Sequence, residues 1–166
     1  MKKKQKKNYI LPLAAVLCVL SLAVMVFALT RQEVQTEMGE FTPPPFDSAA
    51  VVGTPEVPDG FGWQELDAKV YKAGICGKFI PKGNTADVWL TNPESNTVWL
   101  KVRVLDEKGN TLGETGIIKP GEYVQSVELD NVPKAGKPIV LKIMAYQPDT
   151  YYSEGAVSLN TTISEE

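Results

Sequence analysis

The sequence predicts an all-β protein: an Ig-like antiparallel β-sandwich of about seven strands, preceded by one N-terminal transmembrane helix and a proline-rich spacer. Three observations predict it. Residues 9–29 carry no charge and follow a lysine cluster, and prolines gather between residues 30 and 60. Beyond Gly60, apolar and polar residues alternate in short runs separated by turn residues.

The run YILPLAAVLCVLSLAVMVFAL, residues 9–29, matches the length at which a helix crosses the hydrocarbon core, about 20 residues at a rise of ~1.5 Å each. Lys2, Lys3, Lys4, Lys6 and Lys7 precede it. The positive-inside rule therefore keeps residues 1–8 as a cytoplasmic basic tail and sends the rest outside. A cleaved secretory signal has a shorter apolar region, about 7 to 15 residues, which favours an uncleaved signal-anchor. Val26 and Ala28 leave cleavage after Ala28 open as the alternative. Pro12 falls in the first helical turn, where its missing N–H removes no bond. Cys18 follows Leu17 rather than a small residue, so it is expected as a lipid-facing apolar side chain and not a lipidation site.

After Leu29, ten lysines with Arg31 and Arg103 stand against 20 acids, twelve cations against twenty anions, a net charge of −8. That balance argues against nucleic acid and anionic headgroups as partners of this part. With no histidine in the chain, Ser-His-Asp and Cys-His catalysis and histidine metal sites are excluded. Cys18 and Cys76 fall on different sides of the membrane surface, so the fold is expected to stand without a disulfide. No cofactor is expected.

Residues 30–60 show no sustained period and include Pro43, Pro44, Pro45, Pro55 and Pro58, the composition of an extended tether. A disordered linker is the alternative. The apolar run Ala49 to Val52 could instead pair as an added edge strand.

The domain proper is expected over residues 61–166. One or two strands fall between Lys69 and Ile80. Thr85 to Thr91 follows, with Ala86, Val88 and Leu90 inward and Asp87 and Trp89 outward. Asn92 to Asn96 makes a turn with Pro93 at its first central position. Val98 to Leu105 alternates most clearly, Val98, Leu100, Val102 and Val104 inward against Trp99, Lys101 and Arg103 outward, and ends in the hairpin turn Asp106 to Asn110. Thr111 to Ile118 reads as a strand running to the Pro120-Gly121 turn. Tyr123 to Leu129 is expected to turn Tyr123, Gln125, Val127 and Leu129 inward. Ile139 to Tyr146 should bury Ile139, Leu141, Ile143 and Ala145, and Val157, Leu159, Thr161 and Ile163 close the series.

The succession ICGKFIP, TADVWLTNPESN and GETGIIKPGEYVQSVELD, from Gly74 to Ile163, resembles an uncharacterised family of small membrane-anchored β-sandwich surface proteins of Gram-positive bacteria. The most specific pieces are Asn92-Pro93-Glu94 and Ile118-Lys119-Pro120-Gly121. Both are turn chemistry, so the resemblance implies a fold and an anchored extracellular setting and transfers no catalytic residue.

Trp89, Trp99, Lys101 and Arg103 form the candidate binding surface, with the two tryptophans as a cross-strand aromatic pair on the face away from the core. The competing expectation is that the spacer or the Trp63 segment packs over them. Cys76, near Lys72 and Lys78, is a reactive thiol if exposed and a small apolar filler if buried. Asp130, Asp149 and Glu154 lack the spacing of a calcium loop. Lys78 near the first strand and Asn160 on the last are the pair that an internal amide crosslink would join. The expected function is a non-enzymatic extracellular binding or assembly module. It would be anchored in the lipid bilayer through residues 9–29 and would bind a protein or polysaccharide ligand. The alternatives are an accessory subunit of an envelope or membrane complex and a carboxylate-based hydrolase.

Overall fold

The computed structural model describes Cys18, residues 20–22, residues 24–26 and residues 42–165. The described residues between 18 and 26 are helical. Among the described residues no helix is long and apolar enough to cross a membrane. Most of the expected span 9–29, and residues 30–41 of the expected spacer, lie outside them.

Pro43–Glu166 forms one compact unit. Its strands are β1 (Val51–Val52), β2 (Trp63–Asp67), β3 (Lys72–Cys76), β4 (Pro81–Lys82), β5 (Thr85–Thr91), β6 (Trp99–Asp106), β7 (Thr111–Glu114), β8 (Glu122–Glu128), β9 (Pro138–Tyr146) and β10 (Ser153–Thr162). They make two antiparallel sheets. One has the order β1-β8-β5-β3-β2 with β4 also on β5, and the other has the order β10-β9-β6-β7. The architecture is an all-β sandwich, as the alternation predicted.

The core draws from both sheets. Ala86, Val88 and Leu90 of β5 meet Leu100, Val102 and Val104 of β6 and Ile139, Leu141, Ile143 and Ala145 of β9 in one buried cluster. These are the inward positions read from the sequence, and burying each larger aliphatic side chain contributes about 1.5–3 kcal/mol. The hairpin turn after β6 is fixed by Asp106, whose Oδ1 accepts the N–H of Lys108 and of Asn110, both at 2.8 Å, while Gly109 supplies a φ of 83°.

Two expectations are corrected within the strands. In β8, Val124 is buried and Gln125 exposed, the reverse of the expected phase at this end, while Val127 and, just past the strand, Leu129 are buried as expected. The cause is a bulge. Asp87 pairs with Ser126 and Leu90 with Val124, so Val88 and Trp89 together oppose the single residue Gln125. Trp89 takes the left-handed φ of 50° that the extra residue requires. Further on, β7 stops at Glu114, and Ile117 and Ile118 instead make isolated bridges to Phe46 and Leu100.

The N-terminal boundary also moves. Pro43 to Gly60 belongs to the compact unit and is not a free tether. Ile117 N–H donates to the Pro45 carbonyl and Asp47 N–H to the Ile117 carbonyl, each at 2.9 Å, while Gly116 N–H reaches Asp47 Oδ2 at 2.7 Å. A Cβ on Gly116 would lie 2.4 Å from Asp47 N, so this close approach of two backbones needs glycine. The run Ala49 to Val52 does supply an edge strand, Val51 pairing with Tyr123 and Val52 with Glu122.

Candidate binding surface

Trp89 and Trp99 do not form a cross-strand pair. They sit on strands of different sheets, β5 and β6, because the chain crosses the sandwich between Thr91 and Trp99 instead of turning back in a hairpin. Strand alternation is the same for either connection, which is why sequence alone allowed the pairing. Trp89 is 9 % exposed and stacks on Tyr123 at a centroid distance of 6.2 Å. Its Nε1 is buried without a hydrogen-bond partner. Trp89 is therefore a packing residue. Trp63, named as a cover for it, instead lies against Gly74, where a Cβ would come within 2.3 Å of the indole.

Trp99 does lie on the outer face of its sheet, alternating with buried Leu100. Two aromatic edges contact it: Phe46 at 4.9 Å and Tyr151 at 5.2 Å between centroids, both T-shaped. Phe46 comes from the stretch expected to be spacer and is 43 % exposed. Lys119 Nζ stands 4.7 Å from the Phe46 ring centroid, a cation–π distance.

Lys101 and Arg103 point to the same outer face and converge on Glu114 of β7. Lys101 Nζ lies 2.6 Å from Glu114 Oε1 and Arg103 Nε 2.8 Å from Oε2. Lys101 is buried, 4 % exposed, so the expectation of a free lysine at the surface is corrected: its charge is spent within the sheet. Burial pushes the Glu114 carboxyl up, but hydrogen bonds from Lys101 and Arg103 outweigh it and hold the group below the usual carboxylate range. A groove of about 350 Å³ runs from Phe46 past Glu114 to Ser126, within the size range of small-ligand clefts.

Phe46, Tyr151, Glu114 and Lys119 were not legible as site residues. Glu114 alone had a partial signal: the Asp106–Asn110 turn lays β7 beside β6, but a bulge between Val104 and Leu105 shifts the register by one and sets Glu114 opposite Arg103. Phe46 and Tyr151 arrive from irregular segments with no periodic pattern to place them.

Cys76 is fully buried. Burial first, and then the charge of Asp87, raise its thiol from 9.0 to about 11, so the apolar-filler expectation holds over the reactive one. Lys78 and Asn160 are both exposed, which removes the buried setting an amide crosslink would need. Among the described residues, no group of three or more carboxylate or cysteine side chains is placed to hold a metal ion. No protein-family model and no curated protein matches the chain.

Proposed function

We propose that the chain is a single-pass, signal-anchored protein that presents an Ig-like sandwich outside the cell as a binding or assembly module without catalysis. The lysine cluster ahead of the uncharged run 9–29 supports the anchor and its orientation. The strand order supports the Ig-like assignment. With β3 as strand A, β5 and β8 fall at B and E of one sheet, and β6, β9 and β10 at C, F and G of the other.

The observation that carries the binding role is the aromatic trio on the outer face, Trp99 between Phe46 and Tyr151, with Lys119 against Phe46. Large rings at a surface offer flat apolar faces to the C–H face of a sugar or to a partner's side chains. Intrinsic fluorescence of the full chain, titrated with solubilised cell-wall polysaccharide, tests it. A saturable shift that disappears in Trp99→Phe supports ligand binding at this face, and an unchanged spectrum refutes polysaccharide as the ligand.

The exposed edge valines favour a second reading, an accessory subunit docked on another envelope protein: Val51 is 48 % and Val52 81 % exposed on β1. One dominant membrane-protein adduct after crosslinking in intact cells supports that reading over the first. A carboxylate-based hydrolase has less support, since Glu114 beside the groove is held ionised by Lys101 and Arg103, the opposite of what a general acid requires.

A further inference from the structure

Among the described strands β1, β2, β4, β7 and β10 lie at sheet edges, and all but β10 are blunted, β4 being two residues that begin with Pro81. β1 is two residues long, β7 is four and ends in the ion-paired Glu114, and β2 carries Glu65 and Asp67. Short strands and edge charges are the usual protections against pairing with another chain. β10 lacks both: it is ten residues long, and from Gly155 to Thr162 it has no charge and no proline.

Its free backbone groups can be placed by counting. Ile163 donates its N–H to the Lys137 carbonyl at 2.9 Å and accepts the Gly136 N–H at 2.8 Å, so both its groups face the β9 side. Alternation then turns Val157, Leu159 and Thr161 toward β9, and the backbone groups of Ala156, Ser158 and Asn160 away from it. The far end of this edge is covered, because Ser164 N–H donates to the Phe79 carbonyl at 2.9 Å and Phe79 bridges Ile163. The near end is deformed by the bulge between Ser153 and Ala156. An open edge remains from Ala156 to Asn160.

We propose that a second copy of this chain pairs here, β10 against β10, antiparallel about a two-fold axis through Ser158. This inference goes beyond the ligand-binding reading and does not depend on it. A two-fold axis sets a strand against itself, so any charge would meet its own kind nearby, and this stretch has none. Val157 would lie opposite the partner's Leu159 on the core side, extending the partly buried row that both residues already form against the core. Ser158 opposite the partner's Ser158, and Ala156 opposite the partner's Asn160 twice over, are hydrogen-bonded pairs, giving about six backbone bonds. The result is a continuous sheet across the two sandwiches.

The register makes the test specific. In the purified full chain carrying Cys18→Ser, with Cys76 buried, single cysteines are introduced and mildly oxidised. Hydrogen-bonded partners have Cα atoms about 5.5 Å apart, within disulfide reach. Ser158→Cys should crosslink to itself, and Ala156→Cys should crosslink to Asn160→Cys in a mixture at least about tenfold more than either does alone. Gln125→Cys, exposed on the other sheet, gives the background. Ser158→Cys crosslinking no faster than Gln125→Cys overturns the proposal. Ser158→Pro is the second test: its N–H faces outward, so pairing with β9 survives while partner addition is blocked. Sedimentation should show loss of dimer with an unchanged melting temperature, and a dimer that persists in this variant overturns the proposal as well.

Discussion

Gly121 donates its N–H to the Asn92 carbonyl at 2.8 Å, which joins the turn Asn92-Pro93-Glu94 to the turn Ile118-Lys119-Pro120-Gly121 at one end of the sandwich. Asn92 is fully buried, and its side chain completes the junction: Nδ2 donates to the carbonyls of Val98 at 2.9 Å and Ile118 at 3.2 Å, and Oδ1 accepts from Asn96 Nδ2 at 2.7 Å. Asn96 in turn holds both backbone groups of Lys72 at the start of β3. The loop that carries the chain from one sheet to the other is thus pinned by two asparagines.

Asn92→Ala leaves the buried Val98 carbonyl without this donor, while Ile118 keeps the bond from the Leu100 N–H, and should cost about 1–3 kcal/mol in chemical denaturation, the cost of one unsatisfied buried group. Asn92→Asp should not rescue it, because a carboxylate cannot donate to either carbonyl.

The two tryptophans should separate cleanly. Trp89→Ala removes a buried ring and is expected to lower stability by about 3 kcal/mol or more, whereas Trp99→Ala, at the surface, should cost less than half of that. Equal losses in urea melts would contradict the assignment of Trp89 to packing and Trp99 to the surface.

Glu114 gives the sandwich an acid-sensitive joint. Its carboxyl lies lower in the folded chain than its ordinary value of 4.5, so the unfolded chain takes up the proton first. Its contribution to stability is therefore present above pH 4.5 and is lost as pH falls through the lower folded value. Protonation also leaves the buried Lys101 without its partner. Thermal melts from pH 6 downward should show a loss that is smaller in Glu114→Gln, already destabilised, the remainder coming from groups such as Asp106 whose carboxyl is also held low by hydrogen bonds from Asn110.

Cys76 predicts the alkaline limb. Folding raises its thiol from 9.0 to about 11, so its contribution is full below pH 9.0 and is lost as pH rises through about 11. In native protein at pH 8 its reaction with a thiol reagent should be slow and should accelerate in denaturant to the rate of a free cysteine. Cys76→Ala should flatten the stability profile between those two values.

The strands that sequence placed well, β5, β6 and β9, are those whose apolar residues recur at every second position without interruption. β8 was misphased only at Tyr123 to Gln125, where Val88 and Trp89 of the neighbouring strand together oppose Gln125 and the buried positions step from Val124 to Val127; Val127 and Leu129 are buried as alternation put them. Residues 43–60 read as tether because Pro45, Phe46 and Asp47 join the domain through backbone bonds and one glycine contact, which need no periodicity. Three of the four candidate surface residues were legible: Trp99, Lys101 and Arg103 lie on the outer face where alternation put them, although Lys101 is buried and both cations are drawn into ion pairs with Glu114, and Trp89 belongs to the other sheet.

The central claim is that the sandwich stands outside the cell. Val52 is 81 % exposed, so Val52→Cys in a Cys18→Ser chain offers a reagent one accessible thiol, with Cys76 buried. On intact cells a membrane-impermeant maleimide should label this variant as fully as it does after lysis. Labelling that appears only once the membrane is broken would contradict the account.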